Sequence, residues 1–144
     1  TKQGLHGKNE IDAFKKIRNF PKINHIKLTD LVLFQIYPSL IENNFDEFSK
    51  AISKLQNIMG KYFNIFQNGM FSSSEVSNVL NFLRKENISG YGQTSWGPTG
   101  FALFPNIKKA EEMRLKLKKR FSSCKNLEFI ICSGKNSGAN IQLL

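Results

Sequence analysis

Apolar residues recur at alternating three- and four-residue steps through the middle of the chain: Phe45, Phe48, Ile52, Leu55, Met59 and Tyr62. A helix turning once per 3.6 residues places all six on one stripe, so the spacing predicts an amphipathic helix. Asn44, with Glu47 three residues on, has the pattern of a capping box that would open it. The stretch before it, residues 28–41, is apolar almost all round, with Leu31, Val32, Leu33, Phe34, Ile36 and Leu40. Such a helix is expected to be buried or to have a partner on each side. Pro38 should kink it. The link at 42–44 is short, so the two helices should pack as an antiparallel pair.

The flanking segments complete a mixed fold. Ile11, Phe14 and Ile17 make a short helical stripe over 10–17, and Pro21 marks a turn within 19–24. Residues 1–27 therefore read as an inter-domain segment with one short helix, and 28–144 as the domain proper. Ser72 with Glu75 predicts a second capping box, followed by a stripe of Val76, Val79, Leu80 and Leu83. Pro105-Asn106 signals another helix, with Ala110, Met113, Leu117 and Phe121 facing in. Its lysines 108, 109, 116, 118 and 119 face out. Period-two alternation predicts strands at 127–132 (Leu127, Phe129, Ile131) and 139–144 (Ile141, Leu143), joined by a turn at 133–138. The order is helices first, then α-β-β-α-β-β. That predicts an α+β fold: a mainly antiparallel sheet of about four strands packed by helices, ferredoxin-like, with an N-terminal antiparallel helix pair.

The richest local chemistry lies in residues 90–104. This stretch holds four of the ten glycines, the single tryptophan and a run of hydroxyls. Residues 99–104 read as a strand covered on both faces, with Phe101 and Leu103 on one and Ala102 and Phe104 on the other. A plain hairpin connection would account for the glycines. It would not call for Gln93, Thr94, Ser95, Trp96 and Thr99 together. Backbone N–H groups over 90–96, the hydroxyls of Thr94, Ser95 and Thr99, and the Gln93 amide form a donor set suited to an anion. His6, between Gly4 and Gly7, reads either as a ligand-facing residue or as a solvated linker histidine. Neither Gly-x-x-x-x-Gly-Lys-[Ser/Thr] nor the dinucleotide fingerprint occurs. Gly-x-Ser-x-Gly is absent around Ser95, and no paired carboxylates stand out.

Charge narrows the partners. The formal net charge is +10, which favours anions. Lysine far outnumbers arginine, and the basic residues are not interleaved with aromatics, which argues against nucleic acid. No apolar run approaches the roughly 18 residues that suggest a membrane span. Two cysteines and two histidines make neither a disulfide framework nor a histidine metal site, and fit a cytoplasmic setting. The abrupt start at Thr1, without Met, is expected of a fragment.

The run Gly90-Tyr-Gly-Gln-Thr-Ser-Trp-Gly-Pro-Thr-Gly-Phe-Ala-Leu103 resembles the third motif of the GHMP kinase superfamily, in its C-terminal domain. Its Gly-Gln-Thr-Ser-Trp-Gly-Pro-Thr core is most similar to the branch of β-ribofuranosylaminobenzene 5′-phosphate synthases. Gly4-Leu-His-Gly with Glu10, the Leu-rich helix with Pro38, and Gln67-Asn-Gly-Met-Phe with Ser72 resemble that branch too. The resemblance implies an N-terminal domain carrying its own phosphate loop. It implies transfer of ribose 5-phosphate from phosphoribosyl pyrophosphate to 4-hydroxybenzoate or 4-aminobenzoate, with loss of CO2, in tetrahydromethanopterin synthesis. Gly90, Gly92, Gln93, Thr94, Ser95, Trp96, Gly97 and Thr99 would then bind substrate or phosphate at the cleft, with His6 and Glu10 nearby. Mg²⁺ is expected with the pyrophosphate, its ligands lying elsewhere. The partners expected are that N-terminal domain, a phosphorylated small molecule and a second copy in a homodimer. Gln93 and Trp96 are bulky where ordinary GHMP kinases carry small residues, which weighs against simple ATP-dependent phosphorylation. That kinase reaction and a non-catalytic interaction domain are the alternatives.

Overall fold

The computed structural model describes residues 4–17, 19–67 and 69–139. Helix α1 spans Gly7–Lys16 and α2 spans Lys22–Leu31. A π-helical turn at Val32–Ile36 leads without a break into α3, Tyr37–Ile41, and α4 follows at Phe45–Gln67. Then come α5 (Ser74–Lys85), β1 (Tyr91–Gln93), β2 (Gly100–Ala102) and α6 (Ile107–Arg120).

The second helix starts earlier than the apolar run. Pro21 sits at its N-cap with φ −58° and ψ 133°. Its carbonyl accepts from the Asn24 and His25 amides, so the turn expected at 19–24 is cut short by the helix. The disruption expected at Pro38 appears as the wide turn just before it. The Tyr37 N–H reaches back five residues to the Val32 carbonyl. A π turn gives the proline ring room and leaves loose carbonyls. The Ser39 hydroxyl donates to the Gln35 and Ile36 carbonyls. Asn43, at φ 53°, turns the chain into α4, and the Asn44 side chain caps Glu47 N–H at 3.2 Å. The second capping box does not form; a simple N-cap one residue later replaces it. Ser73, not Ser72, accepts from the Val76 amide, because the Ser72 amide is already bonded to Gln93.

Helix α4 is the central layer. Ser49, Ser53, Gln56 and Gly60 recur at steps of four, three and four, and make one face. Ser53 and Gln56 of that face bond to the amides of Gly90 and Gln93. Lys54 and Ile58 lie about half a turn away and meet the α2–π–α3 helix. Lys54 Nζ donates to Gln35 Oε1 at 2.6 Å, and Ile58 shares a shallow recess with Leu31. The deepest residues of α4 are small: Ser49, Ala51 and Gly60 are buried, while the large residues of the apolar stripe are only half-buried.

β1 and β2 pair antiparallel, with Tyr91 opposite Ala102, Gly92 opposite Phe101 and Gln93 opposite Gly100. The face bearing Tyr91, Ala102 and Phe104 packs on a core of Val79, Leu80 and Leu83 from α5 and Met113 and Leu117 from α6. The fold is thus α+β, with four layers in sequence: the α2–π–α3 helix, α4, the two-stranded sheet, and α5 with α6. A sheet of four strands is not seen among the described residues. Residues 127–132 keep the alternation, with Leu127, Phe129 and Ile131 half-buried and Glu128, Ile130 and Cys132 exposed, yet they form no ladder. Side-chain period alone does not make a strand; a ladder needs a neighbour. The segment expected to pair there, 139–144, lies outside the described residues beyond Ala139. The inward stripe of α6 is as expected, and Asn106 caps the Lys109 amide at 3.0 Å.

Leu83 is 2% exposed at the centre of this core, whereas Ile130 is 74% exposed. In urea unfolding, Leu83→Ala should lower stability by about 2–5 kcal/mol. Ile130→Ala should stay within about 0.5 kcal/mol.

Candidate functional site

The glycine-rich stretch is the hairpin joining β1 to β2. Its end, residues 94–99, is a tight corner: the Gly97 amide donates to Thr94 O at 2.8 Å, and the Thr94 amide to Thr99 O at 2.9 Å. Ser95 lies at φ 46°, Gly97 at φ 73°, and the Gly97–Pro98 bond is cis. A side chain on Gly97 would run into Ser72 Oγ and, at 2.8 Å, into the Gln93 amide; its positive φ is a second reason for glycine there.

Three layers of polar contact fix this corner. Gly90 N donates to Ser53 Oγ at 2.8 Å and Gln93 N to Gln56 Oε1 at 3.0 Å. Both acceptors sit on α4, which approaches so closely that a Cβ on Gly92 would overlap the Gln56 side chain. The Gln93 side chain is buried and fully engaged. Its Oε1 accepts the Ser72 amide at 2.7 Å. Its Nε2 donates to Gln67 Oε1 at 3.1 Å and to Ser95 O at 3.0 Å. Gln67 in turn donates to Met70 O at 3.0 Å. The corner is therefore held through the strand that leads into it and through the carbonyl of its left-handed residue, Ser95.

Trp96 packs inward, 7% exposed. Its ring meets Phe63 of α4 and Phe14 of α1 edge-on, with centroids 4.9 and 5.6 Å apart. Its indole N–H donates to Glu10 Oε1 at 2.9 Å. This bond joins residues far apart in the chain and pins α1 to the corner. Gly4 lies against the carbonyls of Trp96 and Gly97.

The structure therefore brings Glu10 and Trp96 together with Gly90, Gly92, Gln93, Thr94, Ser95, Gly97 and Thr99. His6 stands apart from the loop contacts: it is exposed, and its Nδ1 lies 3.0 Å from Gly4 O. Of the donors expected to face an anion, the amides of Gly90, Gln93 and Thr94 and the Gln93 side chain are spent inside the protein. Among the described residues, the amides of Ser95 and Trp96 have no protein acceptor. The hydroxyl-bearing Thr94, Ser95 and Thr99 are exposed, with Thr94 Oγ1 donating to Thr99 O at 3.2 Å. The outward donor set is thus narrower than the sequence suggests.

Four supporting residues escape a reading of the loop alone: Ser53, Gln56, Gln67 and Ser72. The first two carry a usable signal, since small and polar residues at 49, 53, 56 and 60 interrupt an amphipathic helix along one line. Ser72 Oγ is buried with no hydrogen-bond partner, directly beneath Gly97. Among the described residues, no group of three or more His, Cys, Asp or Glu side chains could hold a metal ion.

Gln93 supplies two N–H groups and one carbonyl, and a carboxylate would supply none of the former. Gln93→Glu should therefore lower unfolding free energy at neutral pH by about 2 kcal/mol, through lost donors facing Gln67 and Ser95. Equilibrium denaturation measures it, with Gln93→Asn as a shorter amide control.

The family model described as GHMP kinases C terminal matches residues 36–123. The chain is 34% identical over 98 residues to the β-ribofuranosylphenol 5′-phosphate synthase of Methanocaldococcus jannaschii, covering 68% of this chain and 28% of that protein. It is 22% identical over 145 residues to the enzyme of the same name from Archaeoglobus fulgidus, covering 98% of this chain and 42% of that protein. The chain thus spans well under half the length of these curated relatives. No solved structure matches it. The matched span takes in α4, the hairpin with its buried glutamine and tryptophan, and α6. The chain belongs to the GHMP kinase C-terminal family.

Proposed function

We propose that this chain supplies the glycine-rich corner of a β-ribofuranosylaminobenzene or β-ribofuranosylphenol 5′-phosphate synthase. The remaining part of the protein, carrying a second phosphate loop, completes the site. The reaction is phosphoribosyl transfer from phosphoribosyl pyrophosphate to 4-hydroxybenzoate or 4-aminobenzoate. The bond from ribose C1 to pyrophosphate breaks, a bond forms from C1 to the ring carbon bearing the carboxylate, and CO2 departs with restoration of the aromatic ring. Both leaving groups are thereby accounted for without a redox partner.

The observation that carries this reading is the inward anchoring of Gln93 and Trp96. These two bulky residues are the wall of a corner that small residues would leave open, and the two relatives bear the synthase name. With Gln93 facing in, the groups left to meet a phosphorylated substrate are the amides of Ser95 and Trp96 and the hydroxyls of Thr94, Ser95 and Thr99. Preorganised donors stabilise anionic charge because they need not reorient when it arrives. The basic balance of the chain favours approach of such a substrate. Among the described residues no carboxylate cluster could hold Mg²⁺, so its ligands are assigned to the remaining part of the protein and no step runs through a metal here. A cytoplasmic location and completion of the sheet to four strands in the ferredoxin-like manner, through 127–132 and 139–144, belong to the same proposal. No helix among the described residues is long and apolar enough to cross a membrane.

The test supplies the full-length protein with phosphoribosyl pyrophosphate and each benzoate. CO2 and pyrophosphate should appear in equal amounts. ATP consumption on a small alcohol, without turnover of either benzoate, would overturn the proposal in favour of kinase chemistry. Trp96→Phe keeps the ring contacts and deletes the bond to Glu10; it should lower kcat/KM about tenfold, roughly 1.4 kcal/mol of transition-state stabilisation.

A further inference from the structure

A groove of about 750 Å³ lies between α6 and residues 127–131, and no residue of the hairpin lines it. Ile107, Glu111, Arg114 and Lys118 recur at steps of four, three and four and form its α6 wall, beside the core residues Met113 and Leu117. Phe129, Ile130 and Ile131 supply the other wall. The size is that of a small-molecule site, and so is the mixture of apolar walls with a few charged groups. Two of the apolar residues are left in contact with water: Ile107 is 58% exposed and Ile130 is 74% exposed.

The charges of the groove are unbalanced. Arg114, Lys118 and Lys125 line it together with Glu111 and Glu128, which leaves one positive charge over. None of the five forms an ion pair with a described residue. Arg114 and Lys118 stand one turn apart on the same face, where like charges repel. Arg114 is half-buried, and its Nε is fully buried with no hydrogen-bond partner among the described residues. A charged donor withdrawn from water costs the fold free energy until an acceptor reaches it. We propose that the groove binds a monocarboxylate with an aliphatic chain, its carboxylate on Arg114 and Lys118 and its chain along Ile107 and Ile130. A single anion cancels the charge left over, and the guanidinium fork matches a carboxylate. The wall is too long for a compact ring. Arg114 and Ile107 are seven residues apart on α6. That is about 10 Å of helix, the length of an extended chain of about eight carbons. The groove shares no residue with the hairpin, so its ligand is independent of the reaction proposed above.

Isothermal titration of the full-length protein with octanoate, together with thermal unfolding, tests this. Octanoate should bind and raise the Tm. Octanamide has the chain without the charge, and inorganic phosphate has charge without the chain. Each should bind more weakly than octanoate by about tenfold or more. Arg114→Met keeps an apolar stem and should weaken octanoate binding about tenfold. It should leave the Tm of the unliganded protein unchanged or raised, because the buried Nε has no partner to lose. Ile130→Ala should weaken octanoate binding about fivefold. Absence of octanoate binding overturns the proposal, as does binding that Arg114→Met leaves unchanged. Benzoate or phosphate bound in preference to octanoate rules out the aliphatic chain. A lowered Tm for unliganded Arg114→Met also overturns the proposal, and assigns the guanidinium to the remainder of the same chain.

Discussion

A buried amide beneath a glycine hairpin is the constraint around which the rest is arranged. Gln93 has two hydrogens to give and a carbonyl to offer, and each is used: by Gln67, by Ser95 and by the Ser72 amide. A polar group withdrawn from water must find partners, or it costs the fold more than a hydrogen bond returns. Meeting that demand draws together the end of α4, the turn before α5 and the tip of the hairpin. It also displaces the cap of α5 from Ser72 to Ser73. Gly92 is the geometric condition for it, because any side chain there would hold β1 away from Gln56.

This arrangement separates two roles that look alike in the sequence. Gln93 and Trp96 stand among hydroxyls and glycines, and all could be taken for groups that touch a ligand. In the fold they face the protein. They make the corner stiff, while Thr94, Ser95 and Thr99 are left at the surface. A rigid corner with few outward donors orients a substrate better than a flexible one with many, since less conformational freedom is lost on binding. Trp96 has the further effect of tying α1 to the hairpin through Glu10. The N-terminal segment is thereby part of the same structural unit as the loop, and not a loose lead-in.

The long α2–π–α3 helix shows the opposite situation. Its inner line of Leu31, Gln35 and Ser39 lies on α4, whereas its outer line of Leu33, Tyr37 and Ile41 is apolar and, among the described residues, exposed. Helices apolar all round belong between two partners. Here α4 is present on one side, and the other side is exposed among the described residues. The π turn ahead of Pro38 keeps the helix continuous past the proline. The outer strip therefore runs unbroken along both segments.

Local sequence settled the elements whose causes are local. The three-four stripe from Phe45 to Tyr62 gave α4, Asn44 and Asn106 gave the caps, and Val79, Leu80, Leu83, Met113 and Leu117 were legible as core. The motif around Gln93 and Trp96 marked both the hairpin and the family. Other features depend on residues distant in the chain. The early start of α2 was hidden because its first turn carries no apolar pattern. Residues 127–132 have the period of a strand, but a ladder exists only where a second backbone lies alongside. The depth of each α4 residue is decided by what lies outside the helix at that point: Ser49 is met by Gly90 and Gly60 by Met70, and with Ala51 they are buried more deeply than the large residues of the stripe. The bond from Glu10 to Trp96 spans most of the chain, and no periodicity encodes it. Periodicity states which side of an element avoids water; only the packed fold states what lies against that side, and at what distance.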